Sequence, residues 1–311
     1  MPRQPTGPPA PSSPREARTG LATVLLVALT AVWGSTFFLI HDLVETVPPV
    51  DFLAVRFAIA ALIMVVLFRR PLRALTRQQV LVGIGLGALY GGAQILQTQG
   101  LATTPASVSG FITGSYVVLT PVFTAVLLRQ RVAAATWAAV GIATVGLALL
   151  SLNGVSIGFG EAITLLGAVL YALHIIGLGR YSATEIATGL SVVQMVVIAV
   201  ICTVGALPGG IALPDTPGRW ASLLYMVVFA SILALWAQTW AQAHLPATRA
   251  AIIMTLEPVF AAAFAVALGN EVATGRMLVG GALVLTAMYA IELRARRRAG
   301  ELPAEALHHE V

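Results

Sequence analysis

The chain has 311 residues, of which 58% are hydrophobic and 10% charged, with a mean hydropathy of +0.89. That composition excludes a soluble domain, because apolar runs of about 20 residues, the length that crosses a bilayer as helix, follow one another from Leu21 to Leu293. The formal charge of +5 sits on arginines in short loops and forms no continuous basic face, which excludes nucleic-acid binding and leaves orientation in the membrane and contact with anionic headgroups.

In chain order, Met1 to Thr19 is rich in proline, serine and arginine and predicts a disordered cytoplasmic tail. The first span, 21–40, runs past its only small-residue cluster through Phe37, Phe38, Leu39 and Ile40, so it reads as an uncleaved helix and not as a signal peptide. Further spans are predicted at 50–68, 79–99, 105–128, 131–151, 158–178, 186–206, 219–240, 247–268 and 272–293. The loops after even-numbered spans, with their borders, carry Arg69, Arg70, Arg73, Arg77, Arg129, Arg131, Arg180 and Arg249. Those after odd-numbered spans carry only Arg219 and Arg276. With Arg3, Arg15 and Arg18 before the first span and Arg294, Arg296, Arg297 and Arg298 after the last, the positive-inside rule predicts both termini in the cytoplasm and an even number of spans. The polar end 294–311, with His308 and His309, reads as a second cytoplasmic tail. A single cysteine, Cys202, excludes an internal disulfide.

A shift of about 140 residues lays one half of the chain on the other. Trp33-Gly34 falls on Tyr171-Ala172, Arg56 on Gln194, Gln97-Thr98 on Gln238-Thr239 and Pro105-Ala106 on Pro246-Ala247. Each half holds five predicted spans, an odd number, so the second must be inverted relative to the first. Secondary transporters use such repeats to place a site near the bilayer midplane.

The order and spacing of Trp33-Gly34-Ser35, of Arg56, of Gly110 to Tyr116 running on to Thr120-Pro121, and of Glu257-Pro258-Val259-Phe260 followed by Glu271 resemble the EamA-type drug/metabolite transporters. The likeness covers Leu21 to Leu293. It implies an all-α membrane protein with ten helices around a central cavity, built from repeats at 20–152 and 153–293, and export of small metabolites, amino acids or drugs. The halves differ in one respect: Arg131 stands where the second half has Glu271, and Pro121 lies later than Pro258 in the aligned frame.

Helical spacing groups the polar side chains that would meet a substrate. The third span aligns Tyr90, Gln94, Gln97 and Leu101, and the eighth aligns Ser231, Leu235, Gln238 and Gln242. Amides facing lipid would forfeit hydrogen bonds, so these glutamines belong inside the bundle, either as a cavity wall or as contacts between helices worth about 0.6 kcal/mol each. Ser109, Thr113, Tyr116 and Thr120 form a stripe in the fourth span whose Ser and Thr hydroxyls can turn back to the helix instead. Trp33 with Phe37, Tyr171 with His174, and Phe111 complete the candidate pathway, with packing as the plainer role for each aromatic and a neutral, hydrogen-bonded state as the plainer role for His174.

Glu257 lies ten residues past Ala247, which puts it about 15 Å into a core of about 30 Å. An ionisable group at that depth is by default functional. Proton exchange through it and a charge pair with Arg56 are the two roles considered, with a structural carboxyl at the Pro258 kink as the alternative. Pro258 also removes one helix hydrogen bond and frees a carbonyl nearby.

The expected activity is secondary transport of a small molecule across the inner membrane, with the lipid bilayer and protons as its other partners. Proton antiport competes with facilitated diffusion as the mechanism. No cofactor or metal is expected: Gly83-x-Gly85-x-Gly87 lies inside a span and opens no nucleotide loop. No His-x-x-Glu-His or Gly-x-Ser-x-Gly sequence supports an intramembrane enzyme. The lack of any extramembrane domain weighs against a sensor or scaffold, and the oligomeric state is left open.

Overall fold

A computed structural model describes residues 14–104, 106–151, 158–268 and 273–300. Pro105, Glu271, His308 and His309 lie outside the described residues, as do the junction 152–157 and the side chain of Phe111. Among the described residues all regular structure is helical. Seven helices are long and apolar enough to cross a membrane, and shorter apolar helices occupy Ile112–Leu127, Ala134–Gly146 and Leu278–Ala287, where further spans were expected.

The elements are α1 (Pro14–Val44), α2 (Pro49–Leu67), α3 (Arg69–Arg73), α4 (Arg77–Leu101), α5 (Ala106–Gly114), α6 (Tyr116–Leu127), α7 (Ala134–Ser151), α8 (Phe159–Tyr181) and α9 (Ala187–Ala206). They continue as α10 (Pro217–Tyr225), a π-helical turn (Met226–Leu233), α11 (Ala234–Gln242), α12 (Ala247–Met254), α13 (Leu256–Leu268) and α14 (Gly275–Gly300). α1 starts at Pro14 and α14 runs to Gly300, so both helices reach into the stretches expected to be tails. Local chemistry sets several starts. Pro49 stands in the first turn of α2, where a missing N–H costs nothing. Thr76 caps α4 by accepting from Gln79 N while Gln79 Oε1 accepts from Thr76 N. Thr216 caps α10, with Pro217 at its first position.

Three predicted spans are interrupted. The fourth breaks between α5 and α6 at Ser115 and the ninth between α12 and α13 at Thr255, positions that the shift of about 140 residues superposes. At both breaks the hydroxyl turns back to the carbonyl three residues earlier, Ser115 to Ile112 at 2.6 Å and Thr255 to Ile252 at 2.5 Å. Pro258 contributes to the second break, since its ring nitrogen has no hydrogen to give the Met254 carbonyl. The eighth span changes to a π turn midway, which its sequence did not announce.

Packing is inside-out relative to a soluble protein. Leu62, Val66, Val126, Val204 and Leu278 are exposed on the outside, whereas Gln194, Gln238, Gln242, Arg56 and Glu257 are buried. α4 packs against α8 and α9, α2 against α9, α1 against α11 and α13, and α7 against α14. The crossing of α1 with α13 is close enough to require a glycine: a Cβ on Gly34 would stand 2.6 Å from Phe260 Cβ and 2.9 Å from the Glu257 carbonyl. Small residues permit such approaches between membrane helices. This one sets the backbone of Glu257 against the first span.

Candidate functional site

The helices surround a cavity with about 620 Å³ of space free of atoms, part of it open to the surroundings. α1 contributes Trp33, Thr36, Phe37 and Ile40, which share one helical face, and α2 contributes Arg56. The predicted stripe of α4 is present in full, since Tyr90, Gln94, Gln97 and Leu101 all line the cavity, joined by Thr98. Thr113 and Tyr116 come from either side of the Ser115 break. Tyr171 and Ile175 come from α8, Gln238 from α11, and Met254 and Glu257 from either side of the Thr255 break. Both halves of the chain therefore supply walls.

Gln97 organises one side. Its Oε1 accepts from the Tyr171 hydroxyl at 2.8 Å, and its Nε2 donates to Thr113 Oγ1 at 3.0 Å. The Tyr171 ring meets Tyr90 edge-on, with centroids 5.7 Å apart. Amides and hydroxyls removed from water need such partners, and here both ends of the Gln97 amide have one.

The other side is less complete. Gln242 Nε2 donates to the Ile175 carbonyl at 2.8 Å, which turns its Oε1 towards Gln238 and requires Gln238 Nε2 as the donor, at 3.2 Å. Gln238 Oε1 is then left buried without a partner among the described residues. The Tyr116 hydroxyl donates to the Met254 carbonyl at 2.8 Å and stands 3.5 Å from Glu257 Oε2. A hydroxyl has one proton, and the shorter bond takes it, so Glu257 keeps free acceptor capacity facing the cavity. The Met254 carbonyl is the one that Pro258 leaves open, four residues before it.

Arg56 does not pair with Glu257. Its Nε donates to Ser231 Oγ at 2.8 Å and its Nη2 to the Ala230 carbonyl at 3.1 Å, while its Cζ lies 5.0 Å from the Phe57 ring centroid and 5.9 Å from that of Phe52. A buried guanidinium satisfies itself with the nearest acceptors, and the π turn supplies two. Trp33 Nε1 donates to the same Ala230 carbonyl at 3.1 Å.

His174 is not among the lining side chains. It lies fully buried behind Tyr90, with ring centroids 5.0 Å apart, and its Nε2 is 2.8 Å from Gln194 Oε1. Because the Gln194 amide nitrogen faces the Leu190 carbonyl and Thr239, its oxygen accepts, which assigns the proton to His174 Nε2. In the fourth-span stripe, Ser109 and Thr120 have buried hydroxyl oxygens that meet no partner among the described residues, in place of the expected bonds back to the helix. Sequence reasoning missed Ala230 altogether, since only a helix that departs from α geometry exposes its carbonyl. Met254 was foreshadowed by Pro258.

The EamA-like transporter family profile matches residues 20–152 and again 158–293. An uncharacterized transporter of Archaeoglobus fulgidus is 30% identical over 279 residues, covering 89% of this chain and 86% of its own length. The uncharacterized inner membrane transporter YedA of Escherichia coli K12 is 24% identical over 257 residues, 79% of this chain and 82% of its own. A protein of known crystal structure superposes with a TM-score of 0.72 over 89% of this chain and 98% of its own, at 19% identity, which speaks to the fold alone.

Proposed function

The chain belongs to the EamA-like transporter family and is a multi-pass membrane protein; from the cavity lined by both of its halves we propose that it is a secondary transporter exporting a small organic molecule by alternating access. The observation that carries this reading is that Arg56 and Glu257 line one cavity without neutralising each other. A substrate can then offer an acceptor to the guanidinium and a donor to the carboxyl. Aromatic surface from Trp33, Phe37 and Tyr90 would hold the rest. Amino acids and other amphoteric metabolites suit such walls; polyanions do not.

The spans form two inverted repeats of five, residues 20–152 and 153–293. In support, the Ser115 and Thr255 breaks correspond, and helix partners exchange between the halves: α4 packs on α8 as the eighth span packs on α1, and α2 with α9 and α7 with α14 form pairs of equivalents. Rocking of one set of helices against the other would expose the cavity to each side in turn. The arginine distribution orients both termini to the cytoplasm of an inner membrane.

Glu257 is the coupling group in this account. A carboxyl that meets a proton from one side and a substrate donor from the other can exchange them, because occupancy by one disfavours the other. Facilitated diffusion is the second reading, favoured by the absence of another acidic side chain from the cavity lining among the described residues. Flux in sealed proteoliposomes separates the two. With Glu257→Gln, antiport predicts loss of pH-driven flux of about 100-fold or more while substrate counterflow persists at a reduced rate. Full pH-driven flux in that variant would leave only diffusion.

A further inference from the structure

The eighth span is not a uniform α-helix. Between Met226 and Leu233 it winds as a π turn, although the segment MVVFASIL contains neither proline nor glycine to force the change. Such turns are rare and recur at functional sites. In an unbroken α-helix the Ala234 amide would bond the Ala230 carbonyl. Here that amide turns to the carbonyls of Phe229 and Ser231. The Ala230 carbonyl accepts instead from two side chains of other spans, Arg56 Nη2 and Trp33 Nε1, each at 3.1 Å. Ser231, the next residue, accepts from Arg56 Nε at 2.8 Å and donates its own proton to the Met226 carbonyl, five residues back, at 3.0 Å.

We propose that Arg56 and Trp33 hold the eighth span in its π register from the cavity wall, so that withdrawing them lets the span rewind to α-helix. Ser231 is then a positioning residue, which fixes the guanidinium where a ligand meets it. The rest of the inference builds on the transporter reading. A ligand acceptor that draws Arg56 away removes support from the π register, and by reciprocity the α register hands Arg56 to the ligand. Losing the extra residue rotates the N-terminal part of the span by about 100° relative to α11. That part carries Tyr225, whose hydroxyl stands 2.8 Å from Ser35 Oγ on α1. Rewinding would therefore break a contact between the first and eighth spans and convert cavity occupancy into a discrete movement.

The first arm of the test needs no substrate. In a Cys202→Ala background, Ser35→Cys and Tyr225→Cys are joined by a short bifunctional methanethiosulfonate in purified, ligand-free protein in nanodiscs. Arg56→Met, which removes both guanidinium bonds to the turn, should lower the cross-linking yield at least about threefold, and Ser231→Ala, which removes one, should lower it less. An unchanged yield in monodisperse Arg56→Met protein would overturn the proposal. If Arg56→Met does not fold, excision of Val228 carries the test. Removing one residue from the turn restores α-helix with both flanks on their present faces, so the protein should fold and the flux that the intact chain shows should be lost. A Val228 deletion that folds and transports normally would overturn the register switch. Lack of flux in the intact chain would count against the transporter reading alone, since the cross-linking result stands without it.

Discussion

Two of the cavity glutamines, Gln97 and Gln238, fall on one another under the shift of about 140 residues and live differently. Gln97 bonds protein at both ends of its amide, accepting from Tyr171 and donating to Thr113. Gln238 gives its nitrogen to Gln242 and keeps a buried oxygen that meets no partner among the described residues, in the same lining as Glu257. The difference separates two uses of one side chain. An amide bonded at both ends fixes helices, while one with an acceptor in hand is ready for a ligand that brings donors. In the transport reading, Gln97 serves the frame and Gln238 joins Arg56 and Glu257 among the ligand contacts.

The largest effect that would sharpen this contrast is Gln97→Leu, which strands the Tyr171 hydroxyl. It should destabilise the detergent-solubilised protein by about 1–3 kcal/mol, read from denaturation midpoints, with substrate affinity altered only through that loss. Tyr116→Phe comes next, because it leaves the Met254 carbonyl bare beside the Thr255 break. A cost of about 1 kcal/mol is expected, together with faster amide exchange in 254–260. Gln238→Leu removes an oxygen that no described group uses, together with the weaker donor to Gln242 at 3.2 Å. Its stability loss should be the smaller of the two glutamine variants, while substrate affinity in counterflow weakens by about tenfold. The reverse order, with Gln238→Leu unfolding the protein and Gln97→Leu abolishing binding, would break the comparison.

The smallest effect lies at the start of the eighth span, at the ion pair of Arg219 with Asp215, 2.7 Å apart. The hydrogen bond from Arg219 lowers the Asp215 carboxyl below its ordinary value. A depressed carboxyl contributes stability that is present above its unfolded value and lost as the pH falls through the lowered folded one. The Asp215 end of the pair is exposed to solvent, so Asp215→Asn should leave the thermal midpoint at neutral pH within measurement error. A large shift would show that the loop before α10 anchors the eighth span.

Much of the fold could be read from hydrophobic run lengths, because a bilayer dictates helix length and demands that backbone groups bond within each helix. The faces of α1 and α4 followed from helical spacing, which put Trp33 with Phe37 and Tyr90 with Gln94 and Gln97. The spacing failed in the eighth span, where the π turn carries Ser231 out of step with Gln238 and to Arg56. The partner of Arg56 could not be read for the same reason. Depth suggested Glu257, yet the acceptors that hold the guanidinium exist only because a helix changes its winding. His174 looked like a neighbour of Tyr171 on one face, but the imidazole turns to Gln194 of α9, a tertiary contact that no local pattern encodes.

The central claim is that the cavity beside Glu257 binds what the protein moves. Its most direct test is the thermal stability of the purified protein against a panel of amino acids, amines and organic acids at two pH values, with Glu257→Gln in parallel, since a ligand bound to the native state raises apparent stability by mass action. The account predicts at least one amphoteric compound that stabilises the wild type, fails to stabilise Glu257→Gln, and exchanges across sealed proteoliposomes. Compounds that stabilise both proteins equally, or that bind without ever crossing the bilayer, would contradict it.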